Sequence, residues 1–181
     1  MKQHGPWKIR SSEVRYKNAW LTLREDQAIR DDGVERLKVV VGIRPGISVL
    51  PIDEEGNVYL CKEYRYAANV ESIHPANGGI EDGEDPLAAA KRELKEELGI
   101  EAKKWTPMGA MQVLGSKIDS LQTHFLAEGL VFGKQQPDGT ERISLVKIPI
   151  QEAVKMVFDG KVVESLTAIL ILKAAKYLGK L

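Results

Sequence analysis

The sequence predicts an α/β domain with a mixed sheet, preceded by a small β-rich region. Strand-like stretches of alternating or β-branched residues recur from residue 7 to residue 66. One well-marked amphipathic helix follows, then further strand-like stretches, and two helical segments close the sequence. Because strands, a helix, strands and helices succeed one another in this order, the pattern favours a mixed α/β architecture.

The N-terminal region contains the signal of a β-hairpin. Asp32 and Gly33 lie between the stretches "WLTLREDQAI" and "RLKVVVG". An Asp-Gly pair between two such stretches is typical of a tight hairpin turn. We therefore expect residues 1–42 to form an N-terminal β-rich region and residues 43–181 to form the main domain.

A second strand pair is predicted at the start of the main domain. "GISVLPID" and "VYLCKEYRY" flank the turn "EEGN". The next segment, "ESIHPANGGIEDGED", is dense in residues that favour turns, so we expect a loop there. Further along, we expect strands at "WTPMGAMQVL", "SLQTHFLAEGL" and "RISLVKI", and helices at "IQEAVKMVFDG" and "ESLTAILILKAAKYLG". His124 alternates with apolar residues and is expected on a strand surface.

The amphipathic helix is predicted from Pro86 to Leu98. Asp85 is a good N-cap, and proline is tolerated at the first helical position because its missing N–H has no partner there. Gly99 supplies the C-terminal stop. The apolar face consists of Leu87, Ala90, Leu94 and Leu98.

Composition limits the classes of partner and compartment. The chain has 181 residues, of which 43% are hydrophobic, and 26 basic residues balance 26 acidic ones. This balance gives no global basic field, so we expect no nucleic-acid partner. The single cysteine, Cys61, cannot form an internal disulfide and favours a reducing compartment. With no signal-peptide pattern at the N-terminus and no long apolar run, we expect a cytoplasmic protein without a membrane span.

Three glutamates crowd the predicted helix. Glu96 and Glu97 stand three and four residues after Glu93. All three therefore present carboxylates on one side of the helix. Like charges at this spacing cost about 0.2–0.5 kcal/mol per pair. A hard divalent cation such as Mg²⁺ prefers oxygen ligands and would turn this cost into binding. Taken alone, the stretch is also compatible with a solvated, charged helix face.

The residues upstream of the helix favour the metal interpretation. The chain carries Gly78, five residues, Glu84, seven residues and then "RELKEELGI". This matches at every position the box of the Nudix hydrolase superfamily, which the chain resembles. "VRYKNAWLTLREDQAIRDDG", "KEYRY" and "DGKVVESLTAI" look like parts of the ADP-ribose and nucleotide-sugar pyrophosphatase branch. The resemblance implies a Nudix-type α/β/α sandwich with an N-terminal β-region and a homodimer.

The resemblance also implies a set of functional residues. Glu93, Glu96 and Glu97 would bind Mg²⁺ or Mn²⁺ together with the backbone carbonyl of Asn77. Arg92 would orient the glutamates by charge-assisted hydrogen bonds.

Several of the implied roles concern the loops beside the helix. Glu84 would brace the loop before the helix, and Gly78 and Gly99 complete the box. A late loop would contribute a further acid, either Glu141 or Asp138. The sequence leaves open whether Glu93 or this loop acid activates the attacking water.

Four residues are candidates for substrate binding. Arg65 and Arg24 would clamp phosphate or else form ordinary ion pairs. Trp20 would stack on a base, pack in a dimer interface or lie in the core, and His74 would contact substrate or be a solvated loop residue.

Two features concern the chemistry near the box. The residues just before the box depart from the family pattern at His74 and Asn77. His74 stands where an acid is common, and Asn77 stands where a small residue is common. Cys61 is expected to be a buried structural thiol, although one Nudix-fold isomerase type uses a cysteine nucleophile.

The function that the sequence implies is metal-dependent hydrolysis of a pyrophosphate bond. The substrate would be a nucleoside diphosphate linked to a sugar-like group, such as ADP-ribose or a nucleotide sugar, and the products a nucleoside monophosphate and a sugar phosphate. The alternative is hydrolysis of nucleoside or deoxynucleoside triphosphates or of dinucleoside polyphosphates. A non-catalytic nucleotide-binding sensor is a third hypothesis, but the complete glutamate set argues against it.

Overall fold

The computed structural model describes residues 1–136 and 142–181. The strands in these residues are β1 (Lys2–His4), β2 (Trp7–Lys17), β3 (Leu21–Arg30), β4 (Glu35–Ile43), β5 (Gly46–Pro51), β6 (Asn57–Arg65), β7 (Val70–His74), β8 (Ala76–Gly79), β9 (Ile100–Gln112), β10 (Ile118–Asp119), β11 (Leu121–Phe132) and β12 (Ser144–Pro149). The helices are α1 (Pro86–Leu98), α2 (Ile150–Phe158) and α3 (Ser165–Tyr177). The α/β class is therefore confirmed.

The chain folds into two compact units. The first comprises residues 1–45 and 112–121 and contains a sheet with the order β1-β2-β3-β4-β10. Antiparallel pairing joins β1 through β4, and the short strand β10 is parallel to β4. The predicted hairpin is confirmed: Gly33 has φ +86° in the turn between β3 and β4, a conformation that glycine adopts without strain.

The second unit comprises residues 46–111 and 122–181. Its four-stranded sheet has the order β8-β5-β11-β9, with β5 parallel to β11 and antiparallel to β8. A three-stranded antiparallel sheet has the order β12-β6-β7. The sheet arrangement is mixed, as the sequence predicted. The predicted boundary between an N-terminal region, residues 1–42, and a main domain, residues 43–181, stays a proposal.

Helices cover both faces of the strands in the second unit. Alternate residues of β5, such as Ile47 and Val49, pack with Leu94 and Leu98 of α1. Leu50, which follows Val49 and points to the other face of the strand, packs in a second cluster with residues of α2 and α3. The strands are therefore buried on both sides, and α1 lies on the face opposite to the other two helices. Within the described residues, no helix has the length and apolar character that a membrane crossing needs.

One secondary-structure prediction is wrong. The segment "ESIHPANGGIEDGED" was expected to be loop, but its residues 71–74 belong to β7 and its residues 76–79 form β8. β7 pairs with β6, and β8 pairs with the buried strand β5. Tertiary pairing to strands distant in the sequence therefore overrides the local turn preferences of Asn, Pro and Gly.

Candidate functional site

Helix α1 has the limits that the sequence predicted. The side chain of Asp85 accepts hydrogen bonds from the backbone N–H groups of Leu87 and Ala88. Gly99 ends the helix in the left-handed conformation, with φ +64°. Leu94 and Leu98 are buried on the core side, and the packing of this face fixes the direction in which the glutamates point.

Arg92 is the centre of the charged cluster on α1. Its guanidinium donates to both carboxylate oxygens of Glu84 at 3.1 Å, through Nε and Nη2. Nη1 donates to Glu93 Oε1 at 2.8 Å and to Glu96 Oε2 at 3.2 Å, and Nη2 also reaches the Gly79 carbonyl at 3.1 Å. Hydrogen bonds to Glu84 and then Glu93 raise the pKa of Arg92, and the bond to Arg92 lowers the pKa of Glu84. The expected contact of Arg92 with the glutamates is present.

Glu97 is held by groups other than Arg92. It is buried, and its Oε2 accepts a hydrogen bond from the backbone N–H of Asn77 at 3.0 Å. The Cys61 thiol lies 3.4 Å from the same oxygen and donates to it. Burial and then the charge of Glu97 raise the pKa of Cys61, so the thiol stays protonated. Cys61 is therefore a buried donor, as expected for a structural thiol.

Gly78 brings strand β8 directly against the helix. A β-carbon at this position would stand 1.9 Å from Glu93 Oε1, which is far inside van der Waals contact. Only a residue without a side chain allows this approach. The Glu93 carboxylate thus lies against the backbone of the strand that carries Asn77.

The donor set has the chemistry of a site for a hard cation. Glu93, Glu96 and Glu97 lie within two turns of one helix and supply carboxylate oxygens, the ligands that Mg²⁺ and Mn²⁺ prefer. Across residues 1–136 and 142–181, no group of three His, Cys, Asp or Glu side chains is already gathered as a metal site. Arg92 holds Glu93 and Glu96 by ion pairs. The residues therefore fit a divalent cation in chemical type, and ligation would require these carboxylates to reorient.

Two predicted substrate residues lie in the second unit. Arg65 donates to Glu164 Oε1 at 2.9 Å and to Glu63 Oε2 at 2.8 Å, so it forms the ion pairs that were the alternative to a phosphate clamp. His74 is fully buried at the end of β7, and the expectation of a solvated loop histidine is wrong. The ring therefore has no exposed surface that a substrate could contact in this structure.

The other two predicted substrate residues lie in the first unit. Arg24 forms an ion pair with the buried Asp26 at 3.2 Å, and it lines a cavity of about 520 Å³. Trp20 is 77% exposed in the connection between β2 and β3, so the alternative of core packing is wrong. Glu141 and Asp138, the candidate loop acids, lie outside the described residues.

Three contributors to the site were not predicted. The Gly79 carbonyl accepts from Arg92, and Glu63 and Glu164 hold Arg65. Glu164 lies 99 residues from Arg65 in the sequence, so no local pattern could pair them.

Comparison with protein families gives two matches. A model described as the NUDIX domain matches residues 42–164, about two thirds of the chain. A second, described as the nucleoside diphosphate sugar hydrolase N-terminal domain, matches residues 7–37.

Individual relatives agree with these matches. The chain is 32% identical to an ADP-ribose pyrophosphatase of Bacillus subtilis over 127 residues, which cover 68% of this chain and 69% of the relative. It is 28% identical to an ADP-ribose pyrophosphatase of Mycobacterium tuberculosis over 160 residues, which cover 86% of this chain and 77% of the relative.

A solved structure matches the whole chain. A crystal structure of an ADP compounds hydrolase superposes with a TM-score of 0.82 over 100% of both chains, at 22% identity. At this identity the likeness concerns the fold, and it confirms the predicted fold class.

Proposed function

Because the chain belongs to the Nudix family of hydrolases, we propose that it cleaves the pyrophosphate bond of a nucleoside diphosphate linked to a sugar-like group. ADP-ribose and nucleotide sugars are the substrate class. The products are a nucleoside monophosphate and a sugar phosphate. The observation that carries the proposal is the carboxylate cluster on α1, ordered by Arg92 and anchored to β8 through Glu97.

A divalent cation, Mg²⁺ or Mn²⁺, is part of this proposal. Glu93, Glu96, Glu97 and the carbonyl of Asn77 are the groups that would hold it. When bound, such an ion neutralises charge on the phosphate oxygens and lowers the pKa of water.

The side chains of the cluster have separate tasks. Arg92 holds the neighbouring carboxylates in position, since five hydrogen bonds join its guanidinium to Glu84, Glu93, Glu96 and Gly79. Glu97 is held by the Asn77 N–H and the Cys61 thiol.

Hydrolysis requires a base. A water oxygen attacks one phosphorus, the bond from that phosphorus to the bridging oxygen breaks, and the water proton passes to a carboxylate. Glu93 and the loop residue Glu141 are the two candidates for that carboxylate. Glu93 is partly buried against Gly78, where water access is limited and its orientation is defined.

The substrate class is supported by the first unit. Residues 7–37 match the N-terminal domain of nucleoside diphosphate sugar hydrolases, and two relatives bear the name ADP-ribose pyrophosphatase. Arg24, Trp20 and Arg65 remain our candidates for contacts to the substrate. The exposed ring of Trp20 is suited to stacking on a base.

We also propose a homodimer. The first unit exposes large apolar side chains, including Tyr16, Trp20 and Leu37, and surfaces of this kind are common at protein interfaces. Light scattering coupled to size-exclusion chromatography tests this directly, because a mass of one chain would contradict it. A cytoplasmic location stays a prediction that rests on the single cysteine.

A substrate panel tests the proposed reaction. The protein is incubated with Mg²⁺ and ADP-ribose, nucleotide sugars, dinucleoside polyphosphates or nucleoside triphosphates. A phosphatase that acts only after the pyrophosphate is cut reports cleavage of the diphosphate-linked compounds. We expect turnover of ADP-ribose or a nucleotide sugar, and loss of most of the rate in Glu97→Gln.

A matched variant controls for the change of charge. Glu101→Gln removes the same charge just beyond α1, where Glu101 pairs with the exposed Lys95 at 2.7 Å. It should keep the wild-type rate. Cleavage of triphosphates or dinucleotides alone would contradict the substrate class and leave the role of the helix standing. No cleavage with either metal would contradict the proposed catalysis and favour a nucleotide sensor.

A further inference from the structure

Buried polar contacts connect His74 to the glutamates of α1. The side chain of Asn77 reaches the ring, with Nδ2 lying 2.8 Å from His74 Nδ1. The same amide nitrogen donates to the Pro75 carbonyl at 3.1 Å. The backbone N–H of Asn77 donates to Glu97 Oε2 at 3.0 Å. His74 therefore lies two contacts away from a carboxylate of the proposed metal site.

The two nitrogens of the ring have different surroundings. Nδ1 lies 2.9 Å from the Pro75 carbonyl oxygen in addition to its contact with Asn77. Nε2 lies 3.4 Å from Glu63 Oε2, which is longer than an ordinary hydrogen bond. The closer contacts of the ring are therefore those of Nδ1.

We propose that His74 and the side chain of Asn77 form a positioning pair for Glu97. The amide nitrogen of Asn77 contacts His74 Nδ1 and donates to the Pro75 carbonyl, so two neighbours hold the side chain. The Asn77 peptide is then fixed, and its N–H is directed at Glu97. Groups that orient a ligand in this way influence metal affinity without touching the metal. The inference rests on the proposed metal-dependent function.

The opposite side of the ring has a different role. Nε2 faces Glu63, which is paired with Arg65, and Arg65 is paired with Glu164 at the start of α3. Those contacts join strands β6 and β7 to Glu164 at the start of α3. Substitutions that preserve one side of the imidazole at a time separate the two roles.

Asparagine and glutamine at position 74 make this separation. The amide oxygen of His74→Asn can occupy the Nδ1 position and accept from Asn77. The longer His74→Gln places its amide near the Nε2 position and keeps the contact to Glu63 only. His74→Leu removes both. His124→Leu is the matched control, because His124 is the other fully buried histidine in the described residues and makes no hydrogen bond there.

The measurement is Mn²⁺ binding, followed by electron paramagnetic resonance of the free ion in the absence of nucleotide. We expect His74→Leu and His74→Gln to weaken binding about tenfold or more. His74→Asn should restore binding to within about threefold of wild type, as one recovered hydrogen bond implies. Asn77→Ala should weaken binding like His74→Leu, and the double variant should be no weaker than either single one, because the two act together.

Three results would overturn the inference. Equal affinities for His74→Asn and His74→Gln would show that the Nδ1 contact is not what matters. Wild-type affinity in a folded His74→Leu would remove the pair from the site altogether. The same loss in His124→Leu would indicate a general effect of core polarity.

The proposed function can fail separately. If the wild type binds Mn²⁺ and the variants differ from it as expected, but no nucleotide is cleaved, the positioning pair stands and the proposed reaction is wrong. A wild type that binds no Mn²⁺ overturns both. Circular dichroism confirms that each variant is folded before it is compared.

Discussion

The carboxylate of Glu93 lies against Gly78 so closely that a β-carbon at residue 78 would stand 1.9 Å from Glu93 Oε1. This contact joins helix α1 to strand β8 at the point where the glutamates and Asn77 meet. Glycine at position 78 is thus a spatial requirement, since any side chain would displace a proposed metal ligand. The Nudix box glycine has a physical function that its place in a motif does not reveal.

Gly78→Ala should reduce kcat/KM by about 100-fold, because a shift of the reacting groups by about 1 Å costs this much. Gly42→Ala is the control, since Gly42 also lies in a strand and its added β-carbon would make only ordinary contacts at 3.8 Å. Initial rates on the best substrate of the panel measure both. A Gly78→Ala enzyme with normal kinetics would mean that Glu93 can move without effect on catalysis.

Arg92→Lys should lower kcat/KM by about 10- to 100-fold although the positive charge remains. Lysine presents a point charge and cannot reproduce the fork that joins Glu84, Glu93 and Glu96. The exposed Arg36 donates to the neighbouring Glu35 carbonyl, so Arg36→Lys should be silent. Equal rates for Arg92→Lys and wild type would show that charge alone is sufficient in the cluster.

The sequence predicted α1 and its glutamates because the signals there are local. Asp85, Pro86 and Gly99 act on their own turns of the helix, so no knowledge of the rest of the fold is needed. Strands β7 and β8 were missed because their pairing depends on β6 and β5, which lie elsewhere in the chain.

His124 shows a second limit of the sequence pattern. It was expected on a strand surface, but it is fully buried in β11. Apolar clusters cover both faces of that strand, since Phe125 packs in one and Leu126 in the other. Alternation of polar and apolar residues distinguishes the core face from the solvent face only in a strand with one face exposed to solvent. It therefore could not predict the burial of His124.

Acid should destabilise the protein through His124. Burial, and to a lesser degree Lys173, lowers its pKa from 6.5 to about 4. Between these values the unfolded chain binds a proton that the folded chain does not, so stability falls as pH falls from about 6.5 to 4. The contribution is fully present above the unfolded pKa and amounts to at most about 3 kcal/mol.

Urea unfolding at several pH values measures this slope. His124→Leu should flatten it, and His4→Gln should not, because His4 is exposed. A residual slope from His74, whose pKa is also lowered by burial, is expected in His124→Leu. An unchanged slope in that variant would contradict a neutral buried His124.

Cys61 should behave as a hydrogen-bond donor and not as a nucleophile. Its raised pKa and full burial predict no reaction with thiol reagents in the native state. Cys61→Ser should keep activity within a few-fold, because a hydroxyl also donates to Glu97, whereas Cys61→Ala leaves Glu97 Oε2 without that donor. Abolished activity in Cys61→Ser would support the nucleophilic role known from an isomerase type.

Removal of divalent cations should stop hydrolysis and lower the thermal midpoint, and added Mg²⁺ should restore both. A ligand that binds only the folded state stabilises it by about 2.7 kcal/mol at 100 times its dissociation constant. Glu97→Gln should lose most of this Mg²⁺-dependent rise, while Glu101→Gln, altered outside the cluster, should retain it. The comparison is made by differential scanning fluorimetry in a chelator and then in a Mg²⁺ series. A rise that is equal in wild type and Glu97→Gln would place the cation elsewhere on the protein, because a ligand of the stabilising ion cannot be replaced by a neutral amide without weakening its binding.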